Sequence, residues 1–248
     1  MVELIGTPSD EVPDILAIGR AGVTTIFVSM SARHPEGRDA DYLHWHSFDH
    51  RPEQQRLASL QTSVRLVSTP ACRAARAVSA GRYDEVDHVM TYLFSDVAGL
   101  GEFNDLSVAL RGAGRTPYVL PPVERAVYHL EGMAAAPRIK VGSDVLPWWP
   151  TLGMYVLVEH GEASATELTE VPGVGGTWWG SAVPVDPMFS SAGPGLQITY
   201  CFLDDDPVST AERLRPALEK RWADGPVEPL FAAPFFTLVP HETDRHLP

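Results

Sequence analysis

The sequence predicts an α+β protein made of two βαββαβ units packed sheet to sheet. Three observations predict it. Apolar runs of strand length recur along the chain and alternate residue by residue. Stretches with helical spacing fall between them. The order strand, helix, strand, strand, helix, strand is read over residues 22–131 and again over residues 153–240.

In the first unit, "VTTIFVSM" (residues 23–30) is β-branched and aromatic and follows Gly22, as a strand should. "DADYLHWHSFDH" opens a helix at an acidic cap that runs to about Leu60, with Pro52 interrupting it. "HVMTYLF" (residues 88–94) puts His88, Met90, Tyr92 and Phe94 on one face and Val89, Thr91 and Leu93 on the other. "LGEFNDLSVALRGAG" aligns Phe103, Leu106 and Leu110 on one stripe and stops at glycine. "PPVERAVYHL" is the fourth strand. Residues 132–152, rich in Pro and Gly, read as a linker.

The second unit opens on "MYVLVEH" and continues into a much shorter helix at residues 162–170. In "LQITYCFL", Leu196, Ile198, Tyr200 and Phe202 share one face, which predicts a core on that side and something more polar on the other. "PVSTAERLRPALEKRW" carries Leu214, Leu218 and Trp222 at helical spacing, and Pro216 predicts a kink or break inside it. "PLFAAPFFTLVP" closes the unit. The βαββαβ unit is the ferredoxin-like motif. Its sheet leaves one face bare, and two units can cover those faces with each other to form an intramolecular α/β barrel.

Composition narrows the function. A chain of 248 residues, 44% hydrophobic and 21% charged, can bury a full core. A net charge of -13 argues against nucleic acid and against anionic lipid. Cys72 and Cys201 have no C-x-x-C spacing, so neither a thiolate zinc site nor a disulfide framework is expected. The acidic N-terminus lacks the basic and apolar regions of a signal peptide, and no apolar stretch reaches the ~20 residues of a membrane span. The expectation is a cytoplasmic protein with no membrane partner, free to pair into a homodimer.

The chain resembles the dimeric α/β-barrel superfamily and, within it, the EthD-like group. The resemblance is carried by "RHPEGRDADYLHWHSFDHRPEQ" after the first strand, where aromatic residues precede His50-Arg51-Pro52. "VPGVGGTWWGS" is similar to the Pro-Gly-Val turn that opens the second strand in this superfamily, and "LQITYCFLDDDP" to its third strand. It covers most of residues 22–240. It implies a fold and a ligand pocket, not a reaction, because members isomerise lactones, cyclise polyketides, oxygenate aromatics without a cofactor, and bind or degrade haem. This chain departs from the single-unit homodimer by being a tandem. Its second unit has "EASATELTE" where the histidine helix would be, so one site is expected, in the first half.

At about 3.6 residues per turn, Tyr42, His46, Asp49 and Glu53 fall on one helix stripe with His50 at its edge. Three readings compete. His46 and His50 could ligate a divalent metal or, singly, a haem, though the H-E-x-x-H pattern is absent. They could do acid–base work beside a carboxylate. Or the stripe is a polar surface face, with Trp45 and Phe48 as its core contacts. The expectation is acid–base chemistry without a cofactor, of isomerase, cyclase or lyase type, on a small hydrophobic carbonyl or phenolic compound. His50 is the candidate base or acid, His46 a second proton carrier, Asp49 the tuning carboxylate and Tyr42 a donor to a developing oxyanion.

His88, Trp45, Tyr92 and His34 are candidate ligand contacts. His88 counts if its strand face lines a cavity between the units, although a strand-end histidine in solvent is the simpler reading. Trp148, Trp149, Trp178, Trp179, Tyr155 and Tyr200 could wall a flat ligand, though core packing explains most of them and Trp178 and Trp179 cannot both face inward. The alternatives are an EthD-like oxygenase or haem-binding oxidoreductase, and a binding protein for a hydrophobic metabolite. No dinucleotide, P-loop or G-x-S-x-G motif is present.

Overall fold

The computed structural model describes residues 5–12 and 22–248. Among the described residues, nine strands form one antiparallel sheet: β1 (Thr25–Ser31), β2 (Leu60–Val67), β3 (Val78–Ser79), β4 (His88–Phe94), β5 (Pro122–Ala135), β6 (Gly153–His160), β7 (Val174–Ala182), β8 (Leu196–Leu203) and β9 (Glu228–Thr237). The order β2-β4-β1-β5 continues as β7-β8-β6-β9, and β9 returns to β2. Each half thus has the ferredoxin-like arrangement, and the two sheets close into one ring. Closure removes the exposed edges that either half would present alone.

The two seams are unequal. β5 pairs with β7 from Tyr128↔Ala182 to Ala135↔Gly176. β2 meets β9 only at Leu66↔Thr237 and Val67↔Phe236. The excursion after β2, which the element order did not foresee, carries the short helix α3 (Pro70–Ala74) and the short β3, which pairs with β9 further along at Ala232 and Phe231.

Alternation sorts the strands into two cores. Val64, Leu66, Val89, Leu93, Ile198 and Phe202 fill the ring interior. Their neighbours point outward under the helices: Met90, Tyr92 and Phe94 meet α4 (Gly99–Gly112), while Cys201 and Leu203 meet α5 (Pro207–Asp224). The expectation of one polar face is corrected here, because β4 and β8 are buried on both faces. Helices cover the outside of the ring, so even Thr199 and Gln197 lie in the interior of the molecule.

Several helices differ from their expected form. α5 runs unbroken through Pro216, because that residue is exposed and the backbone group its ring displaces can face water. The helix expected at residues 162–170 is only a 3-10 turn, Thr166–Glu170. It enters β7 through Gly173 at φ +96, where a Cβ would collide with Thr210 and Arg213. Among the described residues, no helix is long and apolar enough to cross a membrane.

Candidate functional site

The helix over β2 and β4 has three parts: α1 (Asp39–Trp45), a π-helical turn (His46–His50) and α2 (Arg51–Gln54). Pro52 offers no N–H to the Phe48 carbonyl and its ring needs room beside it. The Arg51 N–H bonds instead to the His46 carbonyl, one residue further back than in an α-helix. The wider turn slows the rotation of the helix. Tyr42, His46, His50 and Gln54, each four apart, therefore lie in one line against the sheet.

This corrects the stripe expected from regular helical spacing. Asp49 and Glu53 turn away and share Arg115, whose Nη2 and Nη1 reach them at 3.1 and 3.0 Å. Asp49 still acts on His50 through space, but no histidine bonds to it. Trp45 lies against His50 with centroids 4.9 Å apart and the rings tilted by 32°, and its indole N–H donates to the Arg115 carbonyl at 3.2 Å. His44 is exposed against Phe48.

The sheet supplies the floor. Ser63 and Arg65 come from β2, His88 and Tyr92 from β4, all outward-facing by strand alternation. His46 Nε2 lies 3.4 Å from the Tyr92 hydroxyl. The Gln54 amide and His50 Nε2 are 3.1 Å apart. Arg65 donates from Nη2 to the Tyr42 hydroxyl at 2.8 Å, and Arg51 donates from Nε to Ser63 at 2.8 Å. His88 Nε2 lies 2.8 Å from Asp39, which also accepts the His34 N–H. His88 therefore faces the helix layer rather than a cavity between the units, and it is fully buried rather than in solvent. His34 itself sits half-buried in the β1–α1 loop.

Several polar atoms of this cluster are buried without a partner: Nδ1 of His46, His50 and His88, Oε1 of Gln54 and Nε of Arg65. Folded proteins rarely leave such groups unsatisfied, so their concentration here points to a ligand or ordered water.

Burial holds the His46 ring well below its usual range, and the Arg65 and Arg51 guanidiniums add to the effect. Burial lowers His50 and His88 as well, opposed by Asp49 in the first case and Asp39 in the second. Burial pushes Tyr92 up to about 12. All three histidines are therefore neutral near pH 7. Below about pH 6.5 the unfolded chain binds protons that these folded sites refuse, so stability present above that pH is lost as pH falls. Urea midpoints are expected to drop steadily from pH 6.5 downward, with a shallower slope for His50→Gln. A flat profile down to pH 5 would contradict the burial of these rings.

The expected aromatic wall does not form. Trp178 is buried and donates to the Ser143 carbonyl at 2.7 Å, Tyr155 lies under α5, and Tyr200 bonds Thr91 across the ring interior at 2.7 Å. Trp179 packs on the helix side and Trp148 is exposed. Trp149 alone of these lines a pocket of about 470 Å3. That pocket lies beyond the end of β9, against Thr62 to Arg65 of β2, under residues 147–152 and 238–246. Arg51 and Arg65 connect it to the histidine cluster. Sequence reasoning missed Gln54, Arg51 and Arg65; an arginine inside the apolar run "SVRLV" was the available signal.

No family model matches the chain, and no curated protein matches it by sequence. Solved structures do match by shape. An anthrone oxidase-like protein superposes with a TM-score of 0.52 at 11% identity, over 88% of this chain and 92% of its own. A dye-decolorizing peroxidase from Bacteroides thetaiotaomicron superposes with a TM-score of 0.54 at 11% identity, over 87% of this chain and 92% of its own. The chain shares the fold of these two proteins, an α/β barrel of two ferredoxin-like halves. Nothing in the likeness singles out the EthD-like group.

The expectation of chemistry without a cofactor is corrected at this point. The same barrel carries a peroxidase, so the fold no longer argues for a site free of a redox group. Haem itself does not fit the residues as packed. His46, Tyr92, Gln54 and Arg65 are close-packed and buried, and none of His46, His50 or His88 opens onto the pocket. The one pocket histidine, His246, lies flat on Phe236 at 4.0 Å. Among the described residues, no group of three or more His, Cys, Asp or Glu is arranged for a metal ion.

Proposed function

We propose that the chain is an oxidoreductase acting on a small hydrophobic phenolic or carbonyl compound. The observation that carries this reading is the buried His46–Tyr92 and His50–Gln54 cluster with its unpartnered nitrogens, set in a barrel shared with an oxidase-like protein and a peroxidase. The reading replaces the isomerase, cyclase or lyase expectation. The His50-Arg51-Pro52 stretch supports placing the chain near the EthD-like group.

Neutral His50, half-buried on Trp45, takes the proton from a substrate hydroxyl or activated C–H. The anion left behind is electron-rich and gives up electrons more readily than the neutral compound. His46 and Tyr92 form a second proton-holding pair below it.

Two measurements on the purified protein test this. One is an absorbance spectrum with metal analysis. The other is oxidation of a phenol panel with molecular oxygen or hydrogen peroxide as the electron acceptor. Turnover with either oxidant is the expected result. A haem band would show that the histidine helix opens further than its packing indicates. Absence of turnover across the panel with both oxidants would overturn the oxidoreductase reading.

A further inference from the structure

Among the described residues, buried arginines have carboxylate partners, with one exception. Arg221 pairs with Glu159 at 2.9 Å and with Glu167 at 2.6 Å. The buried Arg76 side chain lies 3.5 Å from Asp87. Arg65 is 3% exposed, bonds only to the Tyr42 hydroxyl, and leaves its Nε without a partner. Among the described residues, no carboxylate lies within ion-pair reach of Arg65 or of half-buried Arg51. Burial and the like charge of Arg65 hold the Arg51 guanidinium below its usual range.

Two guanidiniums on one pocket lining, neither with a carboxylate in ion-pair reach, are an unfavourable arrangement left as it stands. Both line the 470 Å3 pocket, which is within the size range of small-molecule sites. Its lining also offers flat groups, Trp149, Pro147 and Phe236 with His246 stacked on it, beside the hydroxyls of Thr62, Ser63, Thr151 and Thr237. The one acid on its lining is Asp206, which caps α5 by accepting the Ser209 N–H. Arg245 at the lining is already paired with Glu242.

We infer that the open β2–β9 seam is a binding site for an aryl carboxylate, whose carboxylate completes the charge of Arg65 and Arg51 while its ring lies between Trp149 and Phe236. A planar guanidinium fork matches a carboxylate in two parallel hydrogen bonds. The inequality of the two seams makes the room. β5 and β7 pair from Tyr128 to Ala135, whereas β2 and β9 share only two paired positions and the Leu238 N–H bond to the Arg65 carbonyl, and the pocket lies beside that short contact. The site stands independently of the oxidoreductase reading, because its test is equilibrium binding.

The test uses 2-naphthoate, its neutral amide 2-naphthamide and inorganic phosphate, followed by calorimetry and thermal shift on the full chain. Naphthoate is expected to bind at least about ten-fold more tightly than the amide, the difference of one charge-assisted interaction of about 1.4 kcal/mol or more. Arg65→Met is expected to lose the naphthoate-dependent rise in Tm. Should that variant fail to fold, Trp149→Ala at the pocket wall is expected to weaken naphthoate several-fold. Equal binding of naphthoate and amide, or unchanged binding in the variant that folds, would overturn the site. Phosphate binding as tightly as naphthoate would overturn the aryl part of the assignment.

Discussion

Arg221→Met will cost about 3–5 kcal/mol of folding stability, the usual penalty for stranding one partner of a buried ion pair. Glu159, at the end of β6, is 0% exposed. It accepts from Arg221 Nε at 2.9 Å, from Arg221 Nη2 at 2.9 Å and from the Trp222 indole at 2.8 Å. With the guanidinium gone, the carboxylate must stay charged in an apolar layer or take up a proton, and both are unfavourable. For a chain of this size the loss corresponds to a fall in Tm of roughly 6–20 °C. Arg213→Met removes the partner of exposed Asp205 and is expected to cost less than about 1 kcal/mol. Scanning calorimetry of the two variants checks the contrast, and equal losses would show that burial does not set the cost.

His50→Ala will lower kcat/KM by about 10²–10⁴, the range ascribed to a positioned general base. The His50 ring is the half-exposed member of the inward line and packs against Trp45; Gln54 holds one of its nitrogens and the other is without a partner. Because burial lowers its proton affinity, the base form persists below the usual histidine range. The acid limb of the kcat/KM profile should therefore fall below pH 6.5. Turnover by the alanine variant at the native rate, with native Tm, would remove His50 from the chemistry.

Local pattern made the fold legible and left the site only half legible. Strands 88–94 and 196–203 were readable residue by residue, since alternation is a property of the backbone and needs no partner. The helix at residue 39 was readable, but its inward line was not. Regular spacing turned Asp49 and Glu53 inward; the π-turn ahead of Pro52 turned Gln54 inward in their place. Pro52 was visible as a disturbance, yet a proline can kink, widen or end a helix, and the packing over β2 and β4 selects among these.

The sequence by itself determined the order of elements and the residues with chemistry to offer, because hydrophobic periodicity and side-chain type are local. Tertiary structure decided which side of each strand faces the ring interior and which faces the helices. It decided that one seam zips while the other opens. It also decided that Arg65 would be buried without a counter-ion, since charge compensation depends on what long-range folding brings within a few ångströms.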